Sequence, residues 1–364
     1  KNVFEQSFKI PKDEEFDTRD KYSYYLDRKK IVDDIIVAVP TDHYIGLNHK
    51  FLPLAGKSMS QSILCNETGT YSEYFSDRYG FNNLDKNWDR SNKILLIGDS
   101  FTHGACVENK FTIAGRVNHK FNVLNLGYIS SGPMIEYARF KEYYKKANTP
   151  YVIWIFSEQN DLDDLKFEST NNILQKYYYD ENFHQNILQK QSDVDKYIMD
   201  IFLKKLSKEK DTRNNKLKKT DIYEKTNNSN NKIKTNIKLK KNNLKFNNIR
   251  NKIIDRYPNH ERYFFKIIKK VEKTLINNNS KLIFVYMPSF ETYAYDDPFL
   301  KRRKYVISEI KKTNINLINM TDIFNKHHDV LSLYPFRSYG HPNAKGYELV
   351  ANEIIKKVIE LEKY

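Results

Sequence analysis

The 364-residue chain carries 61 Lys and Arg against 46 Asp and Glu, a formal net charge of +15, and is 40% hydrophobic and 14% aromatic. That much apolar material excludes disorder from end to end, and no run of about 20 apolar residues is present to cross a bilayer as a helix. Cys65 and Cys106 are the only cysteines and lack a CxxC spacing, so a cysteine-based zinc site is excluded; the pair forms either one disulfide in an oxidising compartment or two buried thiols.

Residues 1–92 read as an irregular lead-in packed on the core, because Pro40, Pro53, Gly46, Gly56, Gly69 and Gly80 interrupt its short apolar runs. Its segment from Asp77 to Asn83 arrives just before the first strand and is expected to pack structurally or to reach the rim of a site there. The chain starts at Lys1 rather than Met, which leads us to expect that a signal or anchor segment has been removed.

Buried strands are predicted at Lys93 to Ile97, Asn122 to Leu126, Tyr151 to Phe156, Lys281 to Met287 and Asn316 to Ile318, where β-branched and aliphatic residues run together. Apolar positions recur at helical spacing in Met134 to Lys146, His260 to Ile276, Leu300 to Lys312 and Ala344 to Ile359. Strands alternating with helices imply an α/β fold of three layers, α/β/α, with about five parallel strands in the flavodoxin-like manner. The core is expected over 93–161 and 281–364.

Residues 162–280 are too long for a simple crossover and are read as an insertion. A helical cap is expected first, then a Lys/Asn-rich flexible segment, then a crossover helix. Much of the positive charge lies between Lys204 and Lys252, with little aromatic content beyond Tyr223 and Phe246. Without a stacking platform or a nucleic-acid motif, a solvated insertion is the expectation and a polyanion-binding arm the rival; no nucleic-acid partner is assigned.

The run from Ile94 to Gly104 takes an apolar strand straight into the turn Gly98-Asp99-Ser100. A serine at the carboxyl end of a parallel strand sits where open α/β sheets bind ligands, and it becomes a nucleophile if a base accepts its proton and amides receive the oxyanion. The turn lacks the GxGxxG spacing and the P-loop ending, so nucleotide binding is the weaker reading. Far along the chain, His341-Pro342-Asn343 enters a helix, and His341 is the candidate base. Asp161, Asp163 and Asp164 are read as a solvated acidic loop at a helix amino end; no metal and no cofactor are assigned.

With these blocks placed, the chain resembles the SGNH (GDSL-like) hydrolase superfamily. The order is Gly98-Asp99-Ser100, then the loop from Asn125 to Pro133, then Gln159-Asn160-Asp161, then His341-Pro342-Asn343. The resemblance implies Ser100 as nucleophile, His341 as base, and an oxyanion hole built from the Ser100 amide, a main-chain amide of Ser130 or Gly132, and the Asn160 side chain, with Asp99 in support. Two departures stand out. Ser338 occupies the position three before the histidine, where the family has Asp, and Glu158 stands where it has Gly. A Ser-His dyad supported near Ser338 is therefore expected, with Asp322 and Asp329 as further candidates to orient the imidazole.

The implied activity is a serine esterase acting on a small-molecule or carbohydrate ester, with O-acetyl groups of a cell-envelope carbohydrate as the substrate class and an extracytoplasmic location. An O-acyltransferase, or a carbohydrate-binding relative without turnover, is the alternative.

Overall fold

The computed structural model describes residues 16–47, 49–227, 260–338 and 340–363. Three three-residue strands, β1 (Ile35–Val37), β2 (Gln61–Ile63) and β3 (Glu73–Phe75), form a small sheet within the lead-in, preceded by helix α1 (Lys21–Lys29). β1 runs parallel to β2, and β2 runs antiparallel to β3. This order was not visible in the sequence, since strands of three residues are too short to show a period.

The main sheet holds β4 (Ile94–Gly98), β5 (Val123–Asn125), β6 (Tyr151–Ser157), β7 (Lys281–Met287) and β8 (Asn316–Asn319), all parallel, in the order β5-β4-β6-β7-β8. That is the flavodoxin-like order, with its switch point between β4 and β6. The helices between and after them are α2 (Ser100–His103), α3 (Ile113–Val117), α4 (Pro133–Ala147), α5 (Asp161–Glu168), α6 (Asn172–Tyr179), α7 (Gln191–Asn227), α8 (His260–Asn277), α9 (Glu291–Ala294), α10 (Leu300–Lys311), α11 (Met320–Phe324) and α12 (Ala344–Glu362).

The pleat divides the core into two layers. Leu95, Ile97, Val152, Trp154, Phe156, Phe284 and Tyr286 face one side, together with α4, α8 and the lead-in. Leu96, Ile153, Ile155, Ile283, Val285 and Met287 face the other, against α3 and α12. Both faces being covered explains why these strands read as continuous apolar runs rather than alternating ones.

Helices α5, α6 and the first half of α7 bury Leu165, Leu174, Tyr177, Val194, Ile198 and Phe202 in the same core as the sheet. Those apolar anchors hold the start of a long helix that continues through Lys-rich sequence to Asn227, so the first part of the expected flexible segment is helical. Its remainder, 228–259, lies outside the described residues.

The Asp77 to Asn83 segment closes the β5 edge of the sheet. Asn83 exchanges bonds with Asn125, donating to its carbonyl at 2.9 Å and accepting from its N–H at 2.8 Å. The buried Asp77 accepts from Tyr79, Phe81, Asn83 and Trp88. Its role is structural packing.

Cys65 and Cys106 are bonded, with Cα atoms 5.1 Å apart, and join the β2–β3 loop to the segment after α2. The loop closed is 41 residues in sequence, so its loss should release chain entropy in the unfolded state. We expect thiol titration of the unreduced, denatured protein to find no free thiol, and the Cys65→Ser/Cys106→Ser variant to lose about 3–4 kcal/mol of stability in denaturant titration.

Candidate active site

The carboxyl ends of β4, β5 and β6 deliver the three expected blocks to one edge of the sheet. Gly98 ends β4 where a Cβ would lie 2.1 Å from Thr102 Oγ1 and 2.8 Å from the Ile155 carbonyl, so only glycine permits the turn to fold back on the sheet. Asp99 caps α2 by accepting from the Phe101 N–H at 2.9 Å, which places Ser100 as the first residue of the helix. The second block docks on this turn. Asn125 Nδ2 donates to the Thr102 carbonyl at 2.9 Å, and the Tyr128 N–H donates to the Gly98 carbonyl at 3.4 Å.

His341 lies just before α12, whose amino end Asn343 caps by accepting from Lys345 and Gly346. Its Nε2 is 2.8 Å from Ser100 Oγ. Phe101 packs against the imidazole, with ring centroids 4.8 Å apart. Ser100 and His341, 241 residues apart, are brought within hydrogen-bond distance.

The partner of the other ring nitrogen corrects the sequence reading. His341 Nδ1 contacts Glu67, at 3.0 Å to Oε1 and 3.1 Å to Oε2, and the His341 main-chain N–H donates to Oε2 at 2.7 Å. The arrangement is a Ser-His-Glu triad rather than a dyad. Ser338 does not orient the imidazole; its own N–H donates to the Pro335 carbonyl at 2.9 Å. Asp329 pairs with Arg337. Asp322 lines a cavity of about 440 Å³ with Lys311, Lys326 and Lys357, at the β8 side of the sheet.

A carboxylate only accepts, so it fixes the proton on Nδ1 and leaves the Nε2 lone pair facing the serine hydroxyl. Burial works against charge on both partners, but each favours ionisation of the other. The Glu67 carboxyl is held below its usual range by His341 and, more weakly, by Lys21. Burial disfavours the imidazolium, yet Glu67 and Asp99 raise His341 above the usual histidine value. Close approach depends on Gly340, whose φ is +131° and where a Cβ would meet Glu67 Oε2 at 2.5 Å.

Sequence reasoning missed Glu67 because it stands 274 positions before His341 in a segment with no motif. The one signal was the cysteine pair. Cys65 lies two residues before Glu67 and Cys106 six after Ser100, so a bond between them brings the acid to the nucleophile. Glu67, Cys106 and His341 present ligand-type atoms within 4.8 Å of one another, but the triad and the disulfide account for all three.

The oxyanion candidates divide. The Gly132 N–H is spent, donating to Glu168 Oε1 at 2.5 Å, while Glu168 Oε2 accepts from the Met134 N–H at 2.8 Å. Glu168 thus caps the amino end of α4, and Gly132 is not a free donor. Ser130 has a left-handed backbone, φ 52°, and its N–H has no acceptor among the described residues. Asn160 is held from several sides: its Oδ1 accepts from Ser157 Oγ at 2.7 Å, its Nδ2 donates to Asp164 Oδ2 at 2.7 Å, and its amide also bonds to the Asp99 carboxylate.

Two further expectations change. The acidic loop is not solvated, since Asp161 is buried and accepts from the Ser157 N–H, and Asp163 faces Arg302. Glu158 is a buried structural acceptor. It receives Tyr286, the Ser289 N–H, Thr292 and Arg303, and so ties the end of β6 to the β7–α9 loop.

No protein-family model and no curated protein matches the chain. Among solved structures, it is similar to that of a candidate lipolytic protein of the G-D-S-L family from Desulfitobacterium hafniense DCB-2, at 13% identity and a TM-score of 0.38, covering 72% of this chain and 98% of that one.

Removing the Glu67 charge removes what raises His341. In Glu67→Gln, the His341 imidazole should titrate at lower pH than in the wild type, read from its ring proton resonances as pH is varied; an unchanged midpoint would show that the carboxylate is not its electrostatic partner.

Proposed function

We propose that the protein is a serine esterase of the SGNH type. The observation that carries this reading is the unbroken line Glu67–His341–Ser100, with 3.0 Å and 2.8 Å between successive partners. A hydroxyl, a base and an orienting acid in contact form the constellation of acyl-transfer hydrolases, recognised by geometry rather than by position in sequence.

In this mechanism Ser100 Oγ attacks the ester carbonyl as its proton passes to His341 Nε2. Glu67 stabilises the imidazolium without taking the proton. The oxyanion is received by the Ser100 and Ser130 amides and by the Asn160 side-chain amide, which turns to it from its resting carboxylate partners. His341 returns the proton to the leaving alcohol, and water, deprotonated by His341 in turn, releases the acid from the acyl-enzyme.

The two departures from the family pattern do not argue against turnover. Glu67 occupies the role that Ser338 leaves open, and Glu158 is engaged in packing. Support for an O-acylated cell-envelope carbohydrate as substrate comes from the resemblance of the four blocks. Transfer to a sugar hydroxyl instead of water would use the same acyl-enzyme and would appear as a transacylation product when an acceptor sugar is supplied. The Cys65–Cys106 bond supports an oxidising, extracytoplasmic location.

Hydrolysis of an activated acetyl ester tests the reading. We expect Ser100→Ala and His341→Ala to abolish turnover and Glu67→Gln to lower kcat on the order of 10,000-fold, as loss of the orienting acid does in other triads. Asn160→Ala should cost about 100 to 1,000-fold. Activity in Ser100→Ala equal to wild type would overturn the proposal.

The acid limb of the kcat/KM profile should lie above the ordinary histidine range, because the base acts only when neutral and His341 is raised. In Glu67→Gln the residual activity should show that limb moved to lower pH.

A further inference from the structure

We propose that Thr41, in the lead-in, is a positioning residue that sets the direction of the Ser130 oxyanion donor. The inference rests on the esterase reading above and adds to it a residue that belongs to none of the four sequence blocks.

Thr41 is fully buried. Its N–H donates to the Ile129 carbonyl at 3.3 Å, and its hydroxyl donates to the Ser130 carbonyl at 2.6 Å, with Ile129 O also near at 3.2 Å. These two carbonyls belong to the two peptide planes that meet at the Ser130 Cα. Gripping both planes fixes φ and ψ of that residue. All described peptide bonds are trans, so the Ser130 N–H points opposite to the Ile129 carbonyl in the same plane, away from Thr41.

The conformation so held is one an L residue resists. Ser130 has φ 52°, a left-handed backbone that is disfavoured for a non-glycine residue and persists only when neighbours over-determine it. The next residue is held as well. Ser131 Oγ donates to the Tyr128 carbonyl at 2.5 Å and accepts from Arg139 Nη2 at 2.6 Å, and the same buried guanidinium donates to the Gly98 carbonyl at 3.2 Å, beside the nucleophile turn. Arg139 therefore locks the loop to β4, and Thr41 sets the angle of the peptide within it that carries the Ser130 N–H.

The test measures kcat and KM for acetyl-ester hydrolysis, together with inhibition by an alkyl boronic acid. The boron accepts Ser100 Oγ, a proton leaves to His341, and a tetrahedral anion forms that mimics the oxyanion intermediate. Thr41→Val removes the hydroxyl and keeps the shape. We expect kcat to fall about 10-fold, less than the loss of a whole donor, with KM unchanged and boronate affinity reduced by a similar factor. Thr41→Ser, which restores the hydroxyl, should recover most of both.

Wild-type kcat and boronate affinity in folded Thr41→Val would overturn the proposal, as would a loss that Thr41→Ser does not recover. Should Thr41→Val fail to fold, Thr41→Ala removes the same hydroxyl without filling its place and is judged by the same criteria. An inactive wild type would instead overturn the esterase reading itself, which separates the two failures.

Discussion

The bond between the Glu67 carboxylate and His341 is the constraint around which the site is arranged. One carboxylate engages the imidazole Nδ1 and the main-chain N–H of the same residue, so it fixes both where the ring sits and how it is turned. A carboxylate this deeply buried is costly unless it is paired and hydrogen-bonded. The two His341 donors and the nearby Lys21 supply that compensation, and the Gly340 backbone leaves room for the acid to reach them. The loop that presents Glu67 is held in its turn by the disulfide at Cys65 and by Asn66, whose side chain donates to the Asp17 carbonyl at 2.9 Å.

The lead-in is therefore part of the site. Its small sheet delivers the acid, its Thr41 grips the second block, and its Asn83 and Asn87 cover the exposed edge of β5. Interactions of this sort join segments far apart in sequence, so local opening of the lead-in and loss of the triad are the same event. The core alone, from 93 onward, would keep the serine and the histidine but lose the group that orients the histidine.

Beneath the oxyanion side lies a set of buried acids that would oppose catalysis if ionised together. Burial pushes Asp99 up to about 6, and Glu136 and Asp161 rise well above the usual carboxylate range, each raised further by its acidic neighbours. Carboxyls raised in this way carry less charge than ordinary ones and so repel an oxyanion less. Arg139, buried among them, offsets the charge that remains and at the same time ties the second block to β4.

The sequence by itself determined the sheet, its helices and the nucleophile–base pair, because each has a local signature. Ile94 to Ile97 is an apolar run followed at once by the Gly98-Asp99-Ser100 turn, and His341 stands before a capped helix, so parallel α/β topology brings both to one sheet edge. What only the tertiary structure decided was which partners each local group meets. Nothing around Asn66-Glu67-Thr68 marks an acid that will travel to a histidine 274 residues away, and nothing in Ser130 and Gly132 tells which amide Glu168 consumes. Periodicity and turn chemistry are written within a few residues, whereas a long-range hydrogen bond is written only in the packing that brings its two ends together.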